Sequence, residues 1–358
     1  MRFIFKTSYE QDINLFRHDG DKFWYGLLLL ALVAAPLLLD TFYLGELSFI
    51  LIYAIAATGL MLLVGYTGLV SLGHAAFLGI GAYANAYLIS QGVPFLVSFP
   101  LAGLITAAAG LLIGIPTLRM SGIYLAIATL AFAYIIEQVF IRWESVTGGF
   151  RGLPVDAPDI FGYQLWEGWE FYYLCLFVLV AVILGVANLL RSPTGRAFVA
   201  IRDSEISAQS MGINLARYKS MAFALSAFIT GLAGALYGHH ISYLAPDAFD
   251  IRLSIILLLM VVVGGVGSLH GAVYGAIFAG ALPQVIAMLR DYLPPAIGQT
   301  PGLEPALFGV ILVFFILFEP FGIYGRWLKI KLYFQMFPLY KKATFKRQKS
   351  YLKTERLR

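Results

Sequence analysis

The sequence predicts an all-α integral membrane protein with about ten transmembrane helices. Of its 358 residues, 60% are hydrophobic and only 13% are charged, a balance that suits lipid rather than water as the main solvent. Ten apolar stretches also approach the roughly 20 residues needed to cross a hydrocarbon core about 30 Å thick. A β-barrel is excluded, because its strands alternate in polarity over about ten residues and these runs are long and unbroken.

Residues 1–22 hold equal numbers of acidic and basic side chains and read as a short cytoplasmic arm. The expected spans are 23–40, 47–64, 68–90, 95–116, 118–141, 169–190, 220–240, 253–268, 270–290 and 304–324, within a membrane domain of 23–325. Arg119, Glu137, Glu170 and Glu304 lie near span ends, where long side chains reach the interface. The first span is long, follows a mixed-charge arm and leads straight into further spans, so it reads as retained rather than as a cleaved leader. Cys175 is the single cysteine and falls inside a span, which leaves no disulfide framework and no cysteine cluster for a metal.

Orientation follows from Lys and Arg, which collect in cytoplasmic loops. The loop 191–219 carries Arg191, Arg196, Arg202, Arg217 and Lys219 against Asp203 and Glu205, and the tail 326–358 is strongly basic with Glu355 as its one acid. Six spans precede that loop and four follow it, so both termini and the loop fall on the cytoplasmic side. The opposite side receives Asp40 to Glu46, the Gly-, Pro- and aromatic-rich segment 142–168, the turn at Asp247 and Asp250, and 291–303. Segment 142–168 fits either an interfacial aromatic belt or a contact for an external partner.

Small residues recur at helix-packing intervals: Ala75, Gly79, Ala82 and Ala86; Ala227, Gly231 and Ala235; Gly267, Gly271, Gly275 and Ala279. In lipid, where hydrophobic attraction between helices vanishes, such residues allow backbones to approach closely. The runs Ser71-Leu72-Gly73-His74-Ala75-Ala76-Phe77 and Ser268-Leu269-His270-Gly271-Ala272-Val273-Tyr274 resemble one another, which fits an internal duplication or chance likeness between two Gly/Ala-rich helices.

The loop contains one helix signal, 193–211, with Ser192 as cap, Pro193 in the first position and Gly212 as the left-handed stop. Ala197, Ile201, Ala208 and Met211 form an apolar stripe, and Arg202, Glu205 and Gln209 a polar one. Such a helix is suited either to lie on the membrane or to dock on a partner. Within the spans Ser71, His74, Tyr83, Asn85, Ser268 and His270 are the candidate polar lining of a path, though an intramembrane His or Ser also serves as hydrogen-bonded packing. His239 and His240 sit at a span end, where an interfacial role is expected; no metal site is.

Three segments carry a family resemblance. Gly195-Arg196-Ala197, Ala200-Ile201-Arg202-Asp203, Glu205, Ala208, Met211-Gly212-Ile213 and Lys219, leading into Ala222 to Leu236, are similar to the cytoplasmic coupling segment of LivM-type permeases of branched-chain amino-acid ABC importers. Gly65-Tyr66-Thr67-Gly68 with Ser71 to Phe77 and Gly81-Ala82-Tyr83 resembles a second family signature, and Gly264 to Gly271 a third. The resemblance covers about 25–325 and implies an ABC importer permease fold in the bacterial inner membrane. It implies ATPase coupling through Arg196, Arg202, Asp203, Glu205, Met211 and Gly212. It implies as partners a second related permease, two cytoplasmic ATPase subunits holding ATP-Mg, and an external substrate-binding protein. Membrane lipid is expected around the chain, and no nucleic acid or resident cofactor. The chain has no Gly-x-x-x-x-Gly-Lys-[Ser/Thr] phosphate loop. The implied cargo is leucine, isoleucine and valine, with urea, amides or another small polar solute as alternatives. A secondary carrier driven by an ion gradient is the rival mechanism, weakened because the span interiors hold no Asp or Glu to titrate. A membrane enzyme is weaker still, since no nucleophile with an obvious base and no His/Asp/Glu cluster at helical spacing is present.

Overall fold

The computed structural model describes residues 19–117, 120, 122–160, 163–165, 168–291, 303–318 and 322–336. Most of the expected arm 1–22 and the end of the basic tail, 337–358, lie outside them. The thirteen helices used below are α1 (Asp19–Leu38), α2 (Thr41–Met61), α3 (His74–Ser90), α4 (Phe95–Thr117), α5 (Ile123–Arg142), α6 (Trp169–Arg191), α7 (Pro193–Asp203), α8 (Glu205–Ser210), α9 (Leu215–Ile241), α10 (Ile251–Gly264), α11 (Leu269–Asp291), α12 (Leu303–Phe318) and α13 (Gly322–Met336). Among the described residues six helices are long and apolar enough to cross a membrane: Thr41–Tyr66, Phe95–Pro116, Ile123–Arg142, Trp169–Arg191, Leu215–Ile241 and Leu269–Met288. The other four expected spans correspond to α1, whose apolar part is Lys22–Leu38, and to the shorter helices α3, α10 and α12.

Two of these are short because glycine-rich backbone interrupts the apolar run. The span expected at 68–90 starts only at His74. Before it, α2 closes in a π turn, Leu62–Tyr66, and 68–73 is irregular. The span expected at 253–268 ends at Gly264, and Gly265 and Gly267 adopt φ of 117° and 85°. Non-helical backbone needs partners for its polar groups where water is scarce, and protein supplies part of them: Leu69 and Ser71 are buried, and the Leu72 amide donates to Thr129 Oγ1 at 3.0 Å.

α9 is the hub, packed against α4, α3 and α2. The contact depends on residues without side chains: a Cβ on Gly234 would overlap the Leu78 carbonyl, and one on Gly81 would lie 2.5 Å from Gly231 Cα. α10 and α11 meet in the same way, since a Cβ on Gly275 would overlap the Met260 carbonyl oxygen and one on Gly264 that of Gly271. Gly79 leaves room for the rings of Phe140 and Phe249, 2.6 and 2.9 Å from where its Cβ would be.

α1 lies at the periphery with Phe23, Trp24 and Leu27 to Leu30 exposed. Pro36 removes the amide that would have bonded the Leu32 carbonyl. Tyr172 of α6 supplies the missing donor at 2.8 Å, and Tyr173 donates to the Val33 carbonyl at 2.7 Å. At the end of the bundle reached by the C-terminus of α9, Leu153–Pro154 pairs antiparallel with Tyr243–Leu244, and Asp159–Ile160 with Tyr163–Gln164.

The loop between α6 and α9 departs from the single helix expected at 193–211. It forms an elbow of two helices, α7 and α8, because Ser204 is extended (φ −164°, ψ 114°) and its hydroxyl caps α8 by accepting from the Ser207 amide. Gly212 closes the elbow at φ 83°. The expected stripe is therefore cut: Ala197, Ile201 and Ala208 are buried, but Met211 is exposed, since the turn at Ser204 does not carry the register of α7 into α8. Ser192 stands at the cap position of α7, yet its hydroxyl donates to the Leu189 carbonyl.

Candidate functional site

The inward anchors of the elbow are apolar and ionic. Phe198 and Ile201 are buried. Lys219, on the first turns of α9, is 2% exposed and its Nζ lies 2.7 Å from Glu205 Oε2, which is 38% exposed. Glu205 is thus turned back onto its own chain. Arg202 also points inward: Nη1 donates to the Gly65 carbonyl at 3.1 Å, while Nε and Nη2 hold Asp203 Oδ1 at 3.1 and 3.0 Å. Arg196 is exposed and its Nη1 lies 3.4 Å from the Arg191 carbonyl. The elbow's outward face presents Ile206 and Met211, two large apolar side chains at 84% and 85% exposure.

Five of the six candidate path residues, Ser71, His74, Tyr83, Asn85 and Ser268, are buried within the chain. His74 Nε2 lies 2.8 Å from Ser226 Oγ and Nδ1 3.0 Å from Ser71 Oγ. Because Ser226 spends its proton on the Gly59 carbonyl at 2.6 Å, it must accept from Nε2–H, and Nδ1 accepts from Ser71. This network fastens α3 to α9 and α2. Tyr83 donates to the Leu244 carbonyl and packs on Phe140. Ser268 caps α11 by accepting from the Gly271 amide at 3.3 Å. His270 is exposed, with Nε2 2.5 Å from Tyr25 Oη and its ring stacked on Tyr324.

Asn85 belongs to a chain that the sequence does not reveal. Ser98 donates to Asn85 Oδ1 and Asn85 Nδ2 donates to His239 Nε2, both at 2.8 Å; His239 Nδ1 then donates to the Asp156 carbonyl at 2.7 Å. His239 is 4% exposed, and it links α9, α3, α4 and the loop at 156 at the span end where the sequence places it. Its position at a helix end carried no hint of this, and Ser98 was not a candidate. Among the described residues no three His, Cys, Asp or Glu side chains are grouped to hold a metal ion.

Residues 42–317 match the model of a family described as the branched-chain amino acid transport system / permease component. The chain is 34% identical over 303 residues to the high-affinity branched-chain amino acid transport system permease protein LivM of Salmonella typhimurium, covering 76% of this chain and 71% of that protein. It is 35% identical over 295 residues to the protein of the same description from Escherichia coli, covering 75% and 69%. A probable branched-chain amino acid transport permease protein LivM of Methanocaldococcus jannaschii is 24% identical over 246 residues, covering 67% and 70%. With the glycine breaks, the elbow and the small-residue hub all inside the matched region, the chain belongs to the family of permease components of branched-chain amino acid transport systems.

Proposed function

We propose that this chain is the membrane subunit through which an ATP-driven importer brings leucine, isoleucine and valine across a bacterial inner membrane. The family match over 42–317 carries the reading, and relatives named for branched-chain amino acid transport support the substrate. The chain is a transport subunit, not an enzyme; ATP-Mg is bound and hydrolysed on two separate cytoplasmic ATPase subunits. One of those subunits docks on this chain's elbow, where Ile206 and Met211 offer an apolar contact with Gln209 and Gly212 beside it. Closing of the ATPase pair moves the elbow as a lever and shifts the spans it joins. A second, related permease completes the pathway, in keeping with the burial of this chain's own polar span residues among themselves. An external binding protein supplies the amino acid. Apolar, uncharged spans favour a solute with a hydrophobic side chain whose charged ends are met by dipoles and hydroxyls.

Reconstituted in liposomes with the second permease, the ATPases and the binding protein, the chain is expected to support uptake of labelled leucine that depends on ATP. Uptake driven by an ion gradient without ATP would overturn the ABC mechanism. ATP-driven uptake of urea but not leucine would keep the mechanism and refute the substrate. Orientation has its own test. With Cys175 replaced, a cysteine at position 204 is expected to resist an impermeant thiol reagent added to intact cells, and one at position 164 to react. Labelling of position 204 from outside reverses the orientation.

A further inference from the structure

We propose that Arg202 is a positioning residue that latches the elbow to the two glycine breaks, so that motion of α7 and α8 is delivered to α2 and α11. This rests on the permease reading above and assigns Arg202 an intramolecular task in place of a contact with the ATPase.

Three segments distant in sequence meet at this one side chain. The guanidinium donates to the Gly65 carbonyl in the π turn that ends α2. The last carbonyls of a helix have no partner within it, and the negative end of the helix dipole favours a cation there. Gly68, with φ 75°, lies flat against the Arg202 stem: a Cβ there would sit 3.1 Å from Arg202 Cγ. Gly267, with φ 85° in the break before α11, would place a Cβ 3.3 Å from Arg202 Nη1. Gly65 and Gly267 touch each other as well, since a Cβ on Gly65 would lie 2.8 Å from the Gly267 amide nitrogen, and that amide faces Met61 Sδ at 3.3 Å.

The planar fork is what suits Arg to this position. It bridges a backbone carbonyl and the Asp203 carboxylate at once, whereas a Lys ammonium offers a point charge on a flexible stem. Asp203 keeps the fork oriented and offsets its charge. Glycines in left-handed conformations at 68 and 267 let the backbone of both breaks close on it. The breaks themselves are the compliant points of α2 and of the α10–α11 unit, because they lack a continuous helical ladder. A lever tied at those points acts where both units bend most easily.

The test measures labelled leucine uptake and ATP hydrolysis in the same reconstituted complex for the wild-type chain, Arg202→Ala, Arg202→Lys and Gly267→Ala. The expected result is that all variants retain the ATPase subunits on purification. ATP hydrolysis stimulated by the binding protein persists, and uptake per ATP falls about tenfold in Arg202→Ala and less in Arg202→Lys. Arg202→Ala combined with Gly267→Ala is expected to lose no more than Arg202→Ala alone, because both act on one latch. Loss of the ATPase subunits in Arg202→Lys would place Arg202 at the partner interface and overturn the proposal. Unchanged uptake per ATP in that same inserted, charge-preserving variant would also overturn it. A wild-type complex without ATP-driven uptake would instead defeat the permease reading, so the two failures are distinct.

Discussion

Glu205→Lys is expected to uncouple the elbow from α9 and to lower the thermal stability of the purified complex more than any other single change in the loop. Lys219 is 2% exposed and has its ammonium 2.7 Å from Glu205. The substitution sets a second cation against a charge that cannot reach water. Breaking a buried pair by removing one partner costs about 3–5 kcal/mol, and the partial exposure of Glu205 brings the expected loss to the lower end of that range. Glu205→Gln should be milder, because an amide oxygen still accepts from the ammonium. The physical signature is rescue: Lys219→Met introduced into Glu205→Gln removes the stranded cation and should recover most of the melting temperature. If Lys219→Met does nothing for Glu205→Gln, the buried ammonium is not the source of the loss.

Gly275→Leu is the second large effect. A Cβ at this position already overlaps the Met260 carbonyl oxygen, which belongs to the backbone of α10 and cannot swing aside. Overpacking of this kind costs about 1–3 kcal/mol where side chains yield. Here α10 and α11 must separate, so the variant is expected to run as aggregate on size exclusion in mild detergent. Gly185→Leu on α6 is the control, since nothing lies within 4 Å of a Cβ there; it should remain monodisperse. Equal behaviour of the two variants would mean that the α10–α11 contact does not hold the bundle together.

The apolar runs were legible because hydropathy over 20 residues needs no knowledge of neighbours, and the six long helices fall where those runs do. The breaks at 68–73 and 265–268 were half legible. Gly65, Gly68, Gly264, Gly265 and Gly267 announce unusual backbone, but a hydropathy window reads across them because the intervening residues are apolar. The elbow was legible at its ends, through Pro193 and Gly212, and not at Ser204, whose role as a cap depends on a turn that helical periodicity does not mark. Lys219 looked like one more cation of a cytoplasmic loop; only the fold of α8 back onto α9 buries it. The same holds for the Ser98, Asn85 and His239 chain, whose members come from three helices and leave no local trace in sequence.

The bond from Tyr172 to Leu32 has a mechanical consequence. Proline makes α1 locally pliant by removing one rung of its ladder, and in lipid no water molecule stands ready to replace that rung. The phenol of α6 is the splint. Since α6 runs directly into α7, with Arg191 and Pro193 separated by Ser192 alone, the helix that carries the splint in its first turn is the one whose last turn leads into the elbow. The rung that proline takes from the peripheral helix is thereby supplied by the helix beside it, and the rim of the bundle is fastened to the span that ends in the lever.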